Sequence, residues 1–247
     1  MFRYGVSQGL LDVNPFDGLT RIARGDTAAV QRRLPYDGSD LTAIFGSEKF
    51  GSLTGVKRWL PLIALYSGCR VEEGGGLRVK DVRHEDGSAS GSSRSACVPG
   101  VHYFDFVPTT ERGLKTASSR RRVPVHPDLL RLGLLDYVRT VPQDDRLFPE
   151  LKPGPHGKLT GAFSKWWARF TDDVGVSDPL KAFHSFRHTF KDAVRRAGIS
   201  EEVHDALTGH SNGSVGRSYG LGVPLKVLAE AMAKVSYPGL NLNVRTR

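Results

Sequence analysis

"AFHSFRHTF", residues 182–190, sets two histidines and an arginine among three phenylalanines. On a helix His184, Arg187 and His188 lie three and four residues apart and share a face, while Phe183, Phe186 and Phe190 can turn inward. The spacing predicts a core helix with one wall on which imidazole and guanidinium stand side by side. His184 and His188 also have the i, i+4 spacing of a zinc pair, but the glutamate of the metalloprotease pattern is missing, and no metal is expected.

Upstream, "SGCRVEEGGGL" (67–77) places three glycines after an arginine and two glutamates. A phosphate-cradling loop needs a strand before it and Gly-Lys-Ser/Thr after it; here a helix-forming run precedes and Leu77-Arg78 follows. A dinucleotide fingerprint fails for the same lack of a leading strand. The residue of interest is Arg70, at the first turn of a short helix, where unpaired N–H groups and the helix dipole favour an anion. Taken alone, such an arginine is more commonly a solvated surface group. Three glycines inside a helix cost ~2–3 kcal/mol relative to alanine, which predicts a frayed or irregular helix over 70–77 and loosened support for Arg70.

Downstream, "LTGHSNGSVGRSYG" (207–220) supplies His210 and Tyr219 in a glycine-rich stretch. A lone tyrosine is ordinarily a packing or surface aromatic. Beside two arginines, several histidines and the loop lysine Lys115, its hydroxyl becomes a candidate nucleophile toward a phosphodiester.

Around these motifs the chain reads as mainly helical with a little sheet. A helix over Phe2 to Leu11 ends at the Asn14-Pro15 turn, and a polar stretch follows to about Pro35. Ser39 or Asp40 is the expected N-cap of a short helix, and "WLPLIALYSG" (59–68) a helix with Pro61 in its first turn and Gly68 as its C-cap. "HYFDFV" (102–107) and "RRRVPVHP" (120–127) read as strands around the turn-rich "ERGLKTASS" that carries Lys115. Residues 87–95 read as a mobile Gly/Ser loop. Helices are expected over Asp128–Val138 and Leu159–Val174, then through "DPLKAFHSFRHTFKDAVRRAGI", "SEEVHDALTGH" with Ser200 as cap, and "PLKVLAEAMAKV". The fold class is α+β, a mainly helical domain with a small antiparallel β-sheet or hairpin.

The 247 residues, 39% hydrophobic, suffice for a real core, and 35 Lys and Arg against 26 Asp and Glu give a net charge of +9. That excess points to a polyanion partner, nucleic acid ahead of an anionic membrane, since no basic amphipathic helix is present. Cys69 and Cys97 lack Cys or His neighbours at ligand spacing and read as bland thiols. The longest apolar run, Leu60 to Tyr66, is too short for a bilayer and no signal pattern opens the chain, so a soluble, cytoplasmic protein is expected.

From about Leu53 to Tyr219 the chain resembles the catalytic domain of tyrosine recombinases, the phage-integrase family. "YSGCRVEE" is similar to the first arginine box, "GLKTASSRRRVPVHP" to the lysine hairpin, "HSFRH" to the His-x-x-Arg-His box, and "LTGHS" with Tyr219 to the final histidine and nucleophile. The resemblance implies a site-specific recombinase in which Tyr219 attacks a DNA phosphate and leaves a 3′-phosphotyrosyl intermediate. It implies Arg70 and Arg187 on the phosphate oxygens, Lys115 protonating the leaving 5′-oxygen, His184 assisting proton transfer and His210 donating a hydrogen bond. It further implies that Glu73 orients the arginine or histidine shell instead of reacting, and that His188 has a supporting or structural part. Double-stranded DNA, a homo-tetramer on DNA and DNA-bending accessory proteins are the implied partners, with no cofactor, metal or ATP. Residues 1–35 resemble the exit helix of a core-binding domain plus linker, and 36–247 the catalytic domain with a tail from about 223 that resembles tails docking on a neighbouring protomer. Because the DNA clamp is missing, the alternative expectation is an excised or shortened remnant that binds DNA with weak or no catalysis. A type IB topoisomerase shares the nucleophile and arginines but lacks the His-x-x-Arg-His and Gly-His-Ser boxes.

Overall fold

The fold is organised by one helix that is apolar nearly all round. In a computed structural model that describes residues 6–14, 33–87, 98–107, 120–154, 157–209 and 222–242, Gly55–Ser67 is helical and every residue from Trp59 to Ser67 is buried. A helix without a polar stripe belongs in the middle of a domain. The chain divides into two compact units, Met1–Arg32 and Arg33–Arg247. In the first, Val6 and Ser7 are helical and Gly9, at φ +66°, is in the left-handed region before Leu11, the expected helix end. Residues 15–32, 88–97 with Cys97, and 108–119 lie outside the described residues.

The second unit begins with α1 (Gly38–Phe45) and α2 (Glu48–Gly51), followed by the central α3 (Gly55–Ser67). The cap of α1 is Asp37 and not Ser39 or Asp40: its carboxylate accepts from the Asp40 N–H, and the Asp40 carboxylate accepts from the Asp37 N–H. Two aspartates three apart satisfy each other's orphan donors, and this reciprocal box fixes the start. Pro61 lies well inside α3, because the helix already begins at Gly55. Gly68 ends it as expected, at φ +62°, and a Cβ there would also come within 2.5 Å of the Phe190 ring.

Next comes α4 (Val71–Gly75), short as the glycines suggested but neither frayed nor loosely supported. Gly74 and Gly75 are buried; a Cβ on Gly74 would stand 2.6 Å from Leu60 Cδ1 and 2.9 Å from Cys69 Sγ, and one on Gly75 would collide with Thr160 and Leu151. The glycines let α4 lie against α3 more closely than any side chain allows. Glu72 ties α4 to a different segment, the residues just before Gly161, by accepting from the Leu159 and Thr160 N–H groups at 3.2 and 3.1 Å.

A 3₁₀ turn (Val79–Asp81) leads into a three-stranded antiparallel sheet of β1 (Val82–Gly87), β2 (Val98–Phe106) and β3 (Arg121–Pro124), in that order. The last two strands match the expected hairpin. The first was not anticipated: as an edge strand it exposes Arg83, His84 and Glu85, and its charge conceals its β character. The helix expected over 128–138 is two, α5 (Pro127–Arg131) and α6 (Leu134–Thr140), separated at Gly133, whose φ of +86° no continuous helix accommodates.

The remaining helices are α7 (Gly161–Asp173), α8 (Ser185–Arg196), α9 (Glu201–Thr208) and α10 (Leu225–Met232). Ser200 stands at the head of α9 but makes no side-chain cap bond. Phe183, Phe186 and Phe190 are buried as the periodicity requires; Phe186 meets Trp167 of α7 at 5.3 Å and Tyr36 at 4.8 Å. After α10 the tail turns back into its own core: Val235, Tyr237 and Leu242 are buried, and the Tyr237 hydroxyl donates to the Leu65 carbonyl. No described helix is long and apolar enough to cross a membrane.

A methyl group at Gly74 or Gly75 must displace packed side chains, at ~1–3 kcal/mol, against the ~1 kcal/mol alanine gains over glycine in a helix. Gly74→Ala and Gly75→Ala are expected to lower unfolding stability by up to ~2 kcal/mol. Gly161→Ala, whose methyl meets open space, is expected to be neutral or stabilising. Urea titrations check this; stabilisation by either α4 substitution overturns the packing account.

Candidate active site

The site is built around Glu73. One helical turn separates it from Arg70 at the head of α4, so its carboxylate swings back to accept from the Arg70 N–H at 2.9 Å and from Arg70 Nη1 at 2.8 Å. From β3, Arg121 Nη2 donates to the same carboxylate at 2.7 Å. The three side chains differ sharply in exposure: Glu73 1%, Arg121 4% and Arg70 48%. One ion pair is sealed inside the protein, and the other ends in a guanidinium open to solvent. Burial pushes the Glu73 carboxyl up, but Arg121 and then Arg70 outweigh it and hold it at about 2.

Arg187 lies behind this pair, buried on α8. Its Nη1 donates to the Gly68 carbonyl at 2.8 Å and its Nη2 to the Thr208 carbonyl at 2.6 Å, joining the C-terminal ends of α3 and α9. Helix C-termini favour a cation, and two of the five guanidinium donors are used there. Burial, followed by the charges of Arg70 and Arg121, pushes its pKa down to about 10, so it stays cationic at neutral pH. Arg70 and Arg121 thus hold one carboxylate between them while Arg187 feels its charge, and three cations against one anion leave an excess that favours a further anion.

His184 occupies the residue before the first turn of α8 without a side-chain capping bond, and His188 follows one turn later, their rings 5.2 Å apart and nearly perpendicular. Partial burial first, then His188, Arg187 and Arg70, hold His184 below the ordinary 6.5. Burial and then Lys191 act on His188 in the same direction. Both shifts favour the neutral imidazole, the state in which a histidine can accept a proton. The structure thus brings together Arg70, Glu73, His184, Arg187 and His188. Lys115, His210 and Tyr219 lie outside the described residues. The chain reaches His210 through Leu207 and Thr208, whose carbonyls are taken by Arg121 and Arg187. Among the described residues no group of three or more His, Cys, Asp or Glu is arranged to hold a metal ion.

Arg121 is the member that motif reasoning missed. Its signal lay in "RRRVP": strand alternation puts Arg121 on the same inward face as Val123, and an inward arginine needs an acid.

Removing one partner of a buried ion pair costs ~3–5 kcal/mol, the loss expected for Glu73→Ala. The acid dependence follows from the carboxyl's descent from 4.5 to about 2 on folding. The folded state binds this proton less readily than the unfolded chain. The pair's stabilisation is therefore complete above pH 4.5 and is lost as pH falls toward 2. Glu73→Gln keeps the shape without the titration and is expected to show a shallower loss across that window. Equal slopes for wild type and Glu73→Gln in urea melts would remove Glu73 from this role.

No protein-family model and no curated protein matches the sequence. Solved structures do match in shape. The integrase from mycobacterium phage Brujita superposes with a TM-score of 0.53 at 16% identity, over 99% of this chain and 71% of that one. The Tn1549 transposon integrase in complex with a circular intermediate DNA gives 0.52 at 20% identity, over 94% of this chain and 74% of that one. The XerH site-specific recombinase bound to a palindromic difH substrate gives 0.51 at 18% identity, over 76% of this chain and only 49% of XerH. With its half-helical layout and three-stranded antiparallel sheet, the chain has the fold of the tyrosine recombinase catalytic domain.

Proposed function

We propose that the protein is a tyrosine-type site-specific DNA recombinase that cleaves and rejoins strands through a 3′-phosphotyrosyl link on Tyr219. The observation that carries this proposal is the Arg70 guanidinium, half exposed, anchored by a buried carboxylate and backed by Arg187. Such a group is preorganised for the non-bridging oxygens of a phosphodiester, and it lies in a fold shared with integrases that are solved on DNA.

In the proposed reaction the Tyr219 oxygen bonds to phosphorus as the bond to the 5′-oxygen breaks. His184, whose surroundings favour the neutral ring, accepts the tyrosine proton, and Lys115 gives one to the departing 5′-oxygen. Arg70 and Arg187 neutralise the charge that builds on the phosphate, with a hydrogen bond from His210, while Glu73 holds Arg70 in place and His188 supports the imidazole wall. Attack by the 5′-hydroxyl of a partner strand reverses the step. The phosphotyrosyl bond conserves the energy, so ATP is not needed, and the arginines do what a metal ion does in other phosphoryl-transfer sites. Double-stranded DNA is the partner, on which we propose a homo-tetramer assisted by DNA-bending proteins, in the cytoplasm. Residues 1–35 are proposed as an exit helix and linker from a core-binding domain, and 36–247 as the catalytic domain.

A target site need not be known in advance to test this. A randomised library of nicked duplexes is incubated with the protein, and DNA that stays attached in detergent is sequenced. Wild type is expected to capture an enriched core sequence with or without EDTA, and Tyr219→Phe none. Arg70→Ala is expected to slow capture on the selected duplex ~10²–10³-fold. Equal capture by wild type and Tyr219→Phe refutes the nucleophile; DNA binding with no covalent product favours a non-catalytic DNA-binding role.

A further inference from the structure

We infer that Arg121 is a positioning residue for the phosphate-binding arginines: from β3 it holds the buried Glu73 that orients Arg70, and it pins the last turn of α9 beside the carbonyl that Arg187 grips. Its catalytic consequence rests on the recombinase reading; its contacts do not.

Among the described residues, several features fix this guanidinium. Its backbone pairs with Phe106 in the β2–β3 ladder, and its Cζ lies 4.5 Å from the Phe106 ring centre. Gly209 leaves room beside it, since a Cβ there would stand 3.1 Å from Arg121 Cδ. Its fork spans two elements at once, Nη2 to Glu73 at 2.7 Å and Nε to the Leu207 carbonyl at 3.1 Å. A lysine could supply the charge but not both bonds, because an ammonium is a point donor and a guanidinium a rigid plane.

Without Arg121 the remaining partner of Glu73 among the described residues is Arg70, which is half exposed and has water as an alternative. A carboxylate at 1% exposure is then undercompensated; it takes up a proton or leaves its site, and either change releases Arg70. The effect at α9 is parallel. Leu207 and Thr208 offer adjacent carbonyls to Arg121 and Arg187, so losing one grip loosens the turn that the other depends on. Arg121 itself, 4% exposed on its side chain, acts through these neighbours.

The test compares wild type, Arg121→Met, Arg121→Lys, Glu73→Gln and Arg121→Met/Glu73→Gln. Three quantities are read: the single-turnover rate of phosphotyrosyl formation on saturating selected duplex, the duplex Kd, and the Arg70 side-chain Nε–H resonance in the protein without DNA. Arg121→Met is expected to slow the rate ~10²-fold, the scale of a misplaced catalytic group, with Kd within about threefold because phosphate contacts are spread over many cations. The double variant is expected to react no more slowly than Arg121→Met, since both changes cut one chain of contacts. The Arg70 resonance, resolved in wild type, is expected to collapse into the averaged arginine signal in Arg121→Met and Glu73→Gln. Additive rate losses, or an unchanged Arg70 resonance in Arg121→Met, overturn the inference. If Arg121→Met does not fold, Arg121→Lys is read alone: a loss of about tenfold or more in rate with native melting supports the role, and an unchanged rate overturns it. If wild type forms no covalent complex, the recombinase reading fails, and the Arg70 resonance still decides Arg121.

Discussion

A carboxylate sealed from water must be matched by positive charge, and the Glu73 carboxylate sets the terms for the rest of the site. It lies where α4, β3 and the end of α9 converge, and each contributes something that only makes sense with the others present. Arg70 reaches it from its own helix, and Arg121 from a strand 48 residues on. The small sheet is thereby tied to the helical layers by a directional charge contact as well as by apolar packing. The same contact leaves one guanidinium half in solvent with its position already determined. Binding an anion there costs little reorganisation.

Close packing behind Glu73 supports this arrangement. The glycines that follow it bring α4 against Leu60 and Cys69 of neighbouring segments, and Glu72 draws in the start of α7. What looks on helix propensity like a weakness is, in context, the condition for a short helix to be buried on several sides. Propensity measures a helix alone in water; here most of its surface is not in water.

Much of the site was legible because its signals are local. The shared face of His184, Arg187 and His188 follows from spacing on one helix, and the end of α3 from Gly68. Arg70 at a helix head follows from the turn that precedes it. Tyr219, His210 and Lys115 were expected from motifs alone, and they lie outside the described residues. Arg121 was harder, because a buried charge is recognised by its partner and the partner is far away in sequence. The edge strand β1 was hidden by the charges that keep such edges from pairing with other chains, and Asp37 was passed over in favour of two nearby residues with the same capping chemistry.

By itself the sequence determined the helix-rich α+β class, the order of the motif boxes, the positive charge and the faces of the main helices. These are set by neighbours a few residues apart. Only the tertiary structure decided which arginines are buried and which is offered to solvent, and that α4 is clamped instead of frayed. It also decided that the tail to Leu242 returns to its own core. Desolvation and close packing depend on what distant segments bring to the same place, and no local pattern records that.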